Sequence, residues 1–150
     1  MTMGGRRITR VRSANVPEPA DGRFSNCLVV DGVAYIAGMT ASDTSGSAVW
    51  DRAVASGQES DEVYRQAKVI FEKIKQLLES AGGTMADVVK ITVYVLDINE
   101  RQGVWRARQE SFSGDFPTAT MVQVGALASP SYQVEIDAIA HIGAGGSKTA

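Results

Sequence analysis

The chain has 150 residues, which suits a single domain over residues 1–150, because a second core would have too few residues to close. Its 21% charged and 44% hydrophobic residues are ordinary for a soluble globular protein, and its net charge of -2 gives no broad attraction to phosphate backbones. No run reaches the roughly 18 apolar residues of a membrane helix. We therefore expect a cytoplasmic protein with neither a nucleic-acid nor a membrane partner.

Metal-ligating and nucleophilic residues are scarce. Cys27 is the single cysteine and His141 the single histidine, so a disulfide within the chain and a Cys/His zinc cluster within one subunit are both excluded. A Ser-His or Cys-His catalytic pair would depend on His141, which follows the last apolar strand. We expect no metal and no cofactor, and we interpret Cys27 as a small buried hydrophobe rather than a nucleophile.

The first part of the chain predicts three strands. Residues 8–13 alternate in polarity, and the sequence CLVVDGVAYIA at residues 27–37 contains two apolar runs joined by Asp31-Gly32, a strong hairpin signal. Residues 42–60 are rich in Ser, Asp and Gly and predict a loop. The two ends, residues 1–7 and 142–150, are predicted to be flexible tails.

An amphipathic helix of about six turns begins at Asp61, where the hydrophobic period changes. Ser60 or Asp61 supplies the N-cap, and Gly82-Gly83 supplies a left-handed stop. The apolar residues that recur every three and four positions are Val63, Ala67, Ile70, Phe71, Ile74, Leu77, Leu78 and Ala81.

The second part of the chain predicts a central strand, a shorter helix and two closing strands. Residues 88–96 (VVKITVYVL) are interpreted as apolar on both pleat faces, which favours helices over one face and a neighbouring subunit over the other. Residues 99–112 predict the helix, and residues 118–124 and 132–140 predict the strands. The predicted order is βββαβαββ.

Five blocks of sequence follow one another between residues 24 and 140. They are VAYIAG at 33–38, a helix with Gln66 that ends in LESAGG at 78–83, MADVVKITVYVLD at 85–97, PTATMVQVGAL at 117–127 and VEIDAIA at 134–140. Each block alone is a modest signal, but together and in this order they are specific. The chain resembles the Rid family, the YjgF-type or RidA-like proteins.

The resemblance implies an α+β, chorismate-mutase-like subunit with a mixed sheet and two helices on one face. It also implies a homotrimer with a small-molecule cleft at each subunit interface. The activity implied is hydrolysis of enamines or imines to ketones with release of ammonia, without metal or organic cofactor.

The sequence departs from the family pattern at the implied cleft. The best-known deaminases bind the substrate carboxylate through an arginine, and the matching position here is Ala119, which offers no charge and no donor. Glu135 matches the glutamate that orients or activates water, and backbone groups near Gly38 and Met121 are implied to bind it. The other matched cleft positions, where polar residues are usual, hold Phe24, Ala37, Met39 and Trp105. These departures favour a neutral or aromatic ligand.

Simpler interpretations stay open at each of these positions. Glu135 alternates with Val134 and Ile136 and fits a solvated strand face equally well. The apolar residues of the implied cleft fit ordinary core or subunit-interface packing. Arg106 and Arg108 fit the exposed face of the second helix, although one of them could replace the missing cation.

Three functions follow. The first is an enamine or imine deaminase with a non-standard substrate, in which Glu135 acts on water. The second is a non-catalytic, small-molecule-binding or chaperone-like trimer, which the loss of the arginine favours. The third is RNA cleavage, an activity sometimes attributed to the family, and the negative net charge and single histidine argue against it.

Overall fold

The computed structural model describes residues 5–42 and 62–147, and within them the predicted order βββαβαββ is confirmed. The strands are β1 (Ile8–Val11), β2 (Cys27–Val30), β3 (Val33–Met39), β4 (Val88–Val95), β5 (Thr118–Gln123) and β6 (Val134–His141). The helices are α1 (Glu62–Ser80) and α2 (Arg101–Ser111). The candidate N-cap residues Ser60 and Asp61 lie outside the described residues.

The six strands form one mixed sheet in the order β1-β2-β3-β6-β4-β5. Neighbours are antiparallel except β4 and β5, which run parallel. The predicted hairpin joins β2 to β3, and Asp31 and Gly32 have φ angles of 50° and 78°. Both values lie in the left-handed region that a two-residue hairpin turn requires, which explains the Asp-Gly pair.

Helix α1 is amphipathic, as predicted, and packs with α2 on one face of the sheet. It buries its apolar stripe against β3 and β6. Gly82 ends the helix with a φ of 84°, a conformation that glycine adopts without steric cost. In the described part of the chain, neither helix is long and apolar enough to cross a membrane.

The buried Gln66 of α1 fixes the chain just before β6. Its side-chain amide donates to the carbonyl of Ser131 at 2.9 Å, and its Oε1 accepts from the backbone N–H of Gln133 at 2.8 Å. Both groups are satisfied although the side chain is 0% exposed, as a buried amide requires. This double contact sets where β6 begins and therefore where its side chains point.

Alternate residues of β6 face opposite sides of the sheet. Val134, Ile136 and Ala138 are buried under the helices, whereas Glu135 and Asp137 face the other side and are half-buried. We call this second side, away from the helices, the open face.

The open face is mixed in polarity, which corrects the interpretation of β4 as apolar on both faces. On β4 it carries Lys90, Thr92 and Tyr94, whereas Ile91 and Val93 are buried on the helix side. Thr and Tyr are common strand residues, and the sequence interpretation counted them with the apolar residues. Their polar atoms lie on the open face. The most exposed apolar side chains of the open face come from the other strands: Ile8 at 65%, Tyr35 at 50% and Val122 at 41%.

The chain after β6 lies against the junction between α1 and β4. Residues Ala144–Ser147 form a 3₁₀ turn, and the N–H of Gly145 donates to Oδ1 of the buried Asp87 at 2.7 Å. The other carboxyl oxygen of Asp87 accepts from the N–H of Thr84 at 3.0 Å. Asp87 therefore joins the end of the domain to the start of β4.

Candidate functional site

Glu135 lies over the backbone of Gly38 on the neighbouring strand β3. A Cβ atom added to Gly38 would overlap Oε1 of Glu135 and lie 2.9 Å from its Cδ. Residue 38 must therefore lack a side chain for the Glu135 carboxyl to occupy its present place. The sequence predicted both residues as parts of a site, and the structure brings them into contact.

Tyr94 and Asp137 accompany Glu135 on the open face. Tyr94 is the register partner of Glu135 across the β4–β6 pair, and Thr92 is the partner of Asp137. The Tyr94 hydroxyl donates a hydrogen bond of 3.2 Å to Oδ2 of Asp137. The charge of Asp137, followed by burial, raises the pKa of Tyr94, so the hydroxyl stays protonated at neutral pH.

The environment of Glu135 raises its pKa above the usual range of a glutamate. Burial makes the larger contribution, because the charged form loses solvation, and the nearby charge of Asp137 adds to it. A carboxyl group with a raised pKa accepts a proton more readily than an ordinary glutamate and keeps a proton that it can donate to higher pH. This is the property that a general acid-base catalyst needs.

A β-bulge separates Ala37 from Met39. Strict alternation along β3 would put the two side chains on the same face, but the register against β6 shifts between Ile36 and Met39. Met39 consequently pairs with Ile136 and is buried in the core at 4% exposure, whereas Ala37 is half-buried.

Ala119 and Met121 lie on the edge strand β5, on the opposite pleat face from Glu135. They pair in register with Ile91 and Val93, whose side chains point to the helix side. Ala119 is exposed and Met121 is half-buried. Within one subunit, the structure does not bring these two side chains to Glu135.

Trp105 lies on the other side of the sheet from Glu135, whereas Phe24 lies two residues before Asn26, whose carbonyl accepts a 2.9 Å hydrogen bond from the N–H of Ala37 on β3. Phe24 is 53% exposed in the chain before β2, where its carbonyl accepts a 3.5 Å hydrogen bond from Arg10. Trp105 is half-buried on α2, beneath the guanidinium of Arg101 at 5.6 Å from the ring centroid. Contact between Trp105 and Glu135 would need a second subunit, because the sheet lies between them.

The two candidate replacement cations lie in the helix layer. The guanidinium of Arg106 stacks on the ring of Tyr64 at 3.7 Å from its centroid. Arg108 is half-buried on the same helix. Both are therefore separated from Glu135 of the same subunit by the sheet.

Cys27 is fully buried, at 0% exposure, and burial raises the pKa of its thiol to about 11. Less than one part in a thousand would be thiolate at pH 7, as follows from about four units between pH and pKa. His141, at the end of β6, is exposed and pairs with Val33. The structure does not bring the thiol and the imidazole together, because they lie on different rows of the sheet.

A groove of about 990 Å³ runs along the outer side of α1, remote from Glu135. Several of its charged groups have structural partners. Lys68 pairs with Glu110 at 3.1 Å, and the buried Lys73 ammonium donates to the carbonyls of Thr40, at 2.7 Å, and Ser42. These contacts make the groove a weaker candidate for chemistry than the cluster around Glu135.

Sequence reasoning did not identify Tyr94 and Asp137 as site residues. The alternation of β6 was enough to put Asp137 on the same face as Glu135. Tyr94 lies 43 residues before Asp137 in the sequence. Only the register between β4 and β6 shows that the two side chains meet.

The comparisons with known proteins agree with this fold. The family model described as Endoribonuclease L-PSP matches residues 15–142. The structure is similar to that of a protein of unknown function from Pseudomonas aeruginosa, PA3499, with 35% identity, a TM-score of 0.77, and coverage of 92% of this chain and 94% of that one.

Two further similar structures carry the Rid name. RidA from an Antarctic Psychrobacter species is 27% identical with a TM-score of 0.73, over 89% of this chain and 99% of that one. YyfA from Yersinia pestis, of the conserved Rid protein family, is 27% identical with a TM-score of 0.76, over 91% and 100%. Because the family model covers most of the chain and these relatives share its fold over nearly their whole lengths, the chain belongs to the Rid/YjgF family of L-PSP proteins.

Proposed function

We propose that this protein is a cofactor-free enamine or imine deaminase that acts in the cytoplasm on a neutral or apolar substrate, at a cleft between subunits of a homotrimer. The observation that carries the proposal is the Glu135 carboxyl, half-buried over Gly38 with a raised pKa. Family membership supports the reaction class, because the Rid resemblance implies hydrolysis of enamines and imines.

The hydrolysis needs one group that accepts and returns a proton. Glu135 takes a proton from water as the water oxygen bonds to the imine carbon, and the C=N π electrons move to nitrogen. The carboxyl returns that proton to the nitrogen, which gives a carbinolamine. Glu135 then takes the hydroxyl proton of the carbinolamine as the C=O bond forms and passes it to the amino nitrogen, so that the C–N bond breaks with its electron pair on nitrogen and ammonia leaves. An enamine is first protonated on carbon to give the imine. A carboxyl of raised pKa is suited to each of these proton transfers.

The substrate class follows from the side chains proposed to line the cleft. Ala119 provides no charge for a carboxylate, and Phe24, Met121 and Trp105 offer apolar or aromatic surface. Phe24 and Ala119 are exposed in the isolated subunit, so they are available to a neighbour's Glu135. A neutral, apolar substrate loses the least by binding among such groups.

The homotrimer is proposed from the surfaces that one subunit leaves uncovered. The open face exposes Ile8, Tyr35 and Val122, and β5 is an edge strand exposed along most of its length. Exposed apolar surface and an unpaired edge both favour association. Association would also supply the second set of side chains that the proposed cleft needs.

We expect sedimentation velocity at micromolar concentration to show a single species with three times the mass of the 15.9 kDa chain. The physical reason is the free energy gained when the open-face apolar groups leave water. Replacement of the exposed Val122 by Lys should weaken the assembly, whereas replacement of the exposed Glu79 on α1 by Lys should not. A stable monomer under these conditions would contradict both the trimer and the shared cleft.

Turnover is best tested with a matched pair of imines that differ only in a carboxylate. Oxidation of phenylalanine and of phenethylamine in situ supplies such a pair, and released ammonia is measured against the rate without protein. We expect the neutral imine to be hydrolysed with a kcat/KM about tenfold or more above that of the carboxylate, since an unpaired charge in an apolar cleft is costly.

The second candidate function is a non-catalytic small-molecule-binding or chaperone-like trimer, and the alanine at position 119 is the observation that favours it. Saturable binding of the neutral imine's aldehyde product, phenylacetaldehyde, with no acceleration of hydrolysis for any imine, would support this alternative over the enzyme. RNA cleavage, which the description of the family model names, is not proposed for this chain, because its net charge is -2 and its one histidine is remote from Glu135.

A further inference from the structure

We infer that Tyr94 and Asp137 are positioning residues for Glu135: the Tyr94 hydroxyl holds the Asp137 carboxylate in place, and the Asp137 charge beside Glu135 tunes how readily the Glu135 carboxyl takes up and releases a proton. This inference deepens the proposed function and rests on it. It assigns a role to two residues outside the predicted cleft.

The geometry puts the three groups on adjacent positions of one sheet face. Glu135 and Asp137 are two residues apart on β6 and face the same side, about 7 Å apart along the strand at its usual rise. Tyr94 lies directly across from Glu135, yet its hydroxyl reaches along the sheet to Asp137, at 3.2 Å. Tyr94 therefore hydrogen-bonds to Asp137, which lies two residues along β6 from the register partner of Tyr94, Glu135.

This choice of partner makes the two carboxyl groups unequal. Two neighbouring acids on a partly buried surface resist carrying two negative charges, so one of them keeps a proton to higher pH. A hydroxyl that donates to a carboxylate stabilises its charged form. Asp137 receives that bond, so the hydroxyl holds the charged carboxylate beside Glu135, where burial of Glu135 and this charge both favour the protonated form of Glu135.

The other strands around Glu135 add little charge among the described residues. β3 contributes Gly38 and Ala37, which cannot titrate, and the open face of β5 contributes Thr120 and Val122. On β4 the nearest cation is Lys90, which pairs with Ile139, four residues along β6 from Glu135. The titratable groups that face Glu135 most closely are therefore Asp137 and Tyr94.

The experiment follows the titration of the Glu135 carboxyl by carbon NMR in the full-length protein, where the signal lost in Glu135→Gln identifies the residue. In Asp137→Asn the midpoint should fall by about half a pH unit or more, since a like charge at this separation has been removed. In Tyr94→Phe it should fall by less. The double variant should match Asp137→Asn alone, because Tyr94 acts through Asp137. Tyr35→Phe, an exposed tyrosine elsewhere on the open face, is the matched control and should change nothing.

The same shifts should appear in the pH profile if the protein is an enzyme. Water activation needs the deprotonated carboxyl, so activity rises with pH through the Glu135 midpoint, and lowering that midpoint moves the acidic limb of kcat to lower pH. An NMR midpoint that stays unchanged in Asp137→Asn and Tyr94→Phe would overturn the positioning role. If the NMR midpoints shift as expected but the protein turns over no imine, the positioning role is supported and only the proposed enzymatic activity is contradicted.

Discussion

Replacement of Glu135 by Gln is expected to lower turnover of any enamine or imine substrate by about a hundredfold or more, the usual scale of a general acid-base contribution. Gln keeps the size of the side chain and can still lie over Gly38, but it cannot accept a proton from water. Burial, followed by the charge of Asp137, raises the pKa of Glu135, and no other acid lies over Gly38 in the described part of the chain.

Steady-state kinetics should be combined with ligand binding and sedimentation on the same variant. Binding of a neutral ligand and the oligomeric mass should be unchanged, which separates loss of chemistry from loss of structure. Glu100→Gln is a suitable control, because Glu100 is an exposed acid in the turn before α2. Normal turnover by Glu135→Gln would contradict the catalytic role of Glu135. It would support the simpler interpretation, in which Glu135 belongs to a solvated strand face and alternates with Val134 and Ile136.

Local signals allowed the elements of the fold to be predicted. The Asp31-Gly32 pair located the hairpin because its two left-handed residues fit a tight turn and little else. The helix stop was equally readable, since Gly82 adopts a φ that other residues avoid. Both signals involve only a few neighbouring residues, so they can be recognised without knowledge of the tertiary structure.

The arrangement of the site depends on long-range pairing, which a single sequence does not contain. The contact between Tyr94 and Asp137 exists only because β6 enters the sheet between β3 and β4. The position of Met39 depends on a bulge, and one extra residue in β3 turns its side chain from the open face to the core. Periodicity arguments assume unbroken alternation and therefore fail at such a point.

The correspondence proposed between Ala119 and the carboxylate-binding arginine of RidA-type deaminases has a large expected effect. We expect 2-iminobutanoate and 2-iminopropanoate to be hydrolysed poorly or not at all. Loss of a charged hydrogen-bonding partner typically costs about 2 to 5 kcal/mol when the other charge stays buried. This corresponds to a factor of roughly thirty to several thousand in affinity or rate.

The comparison should use an arginine-bearing family member and the variant Ala119→Arg in parallel. Ala119 is exposed on the edge strand β5, so an arginine there can be accommodated without disturbing the core, and it should restore part of the lost activity toward both imines. Ala128→Arg, at another exposed alanine, controls for a general effect of added positive charge. Turnover by the unmodified protein at the rate of the arginine-bearing relative would contradict the prediction and show that another cation binds the carboxylate. Arg106 and Arg108 would then be the first residues to replace. The sheet separates both from Glu135 of their own subunit, but in a trimer they could reach the Glu135 of a neighbouring subunit.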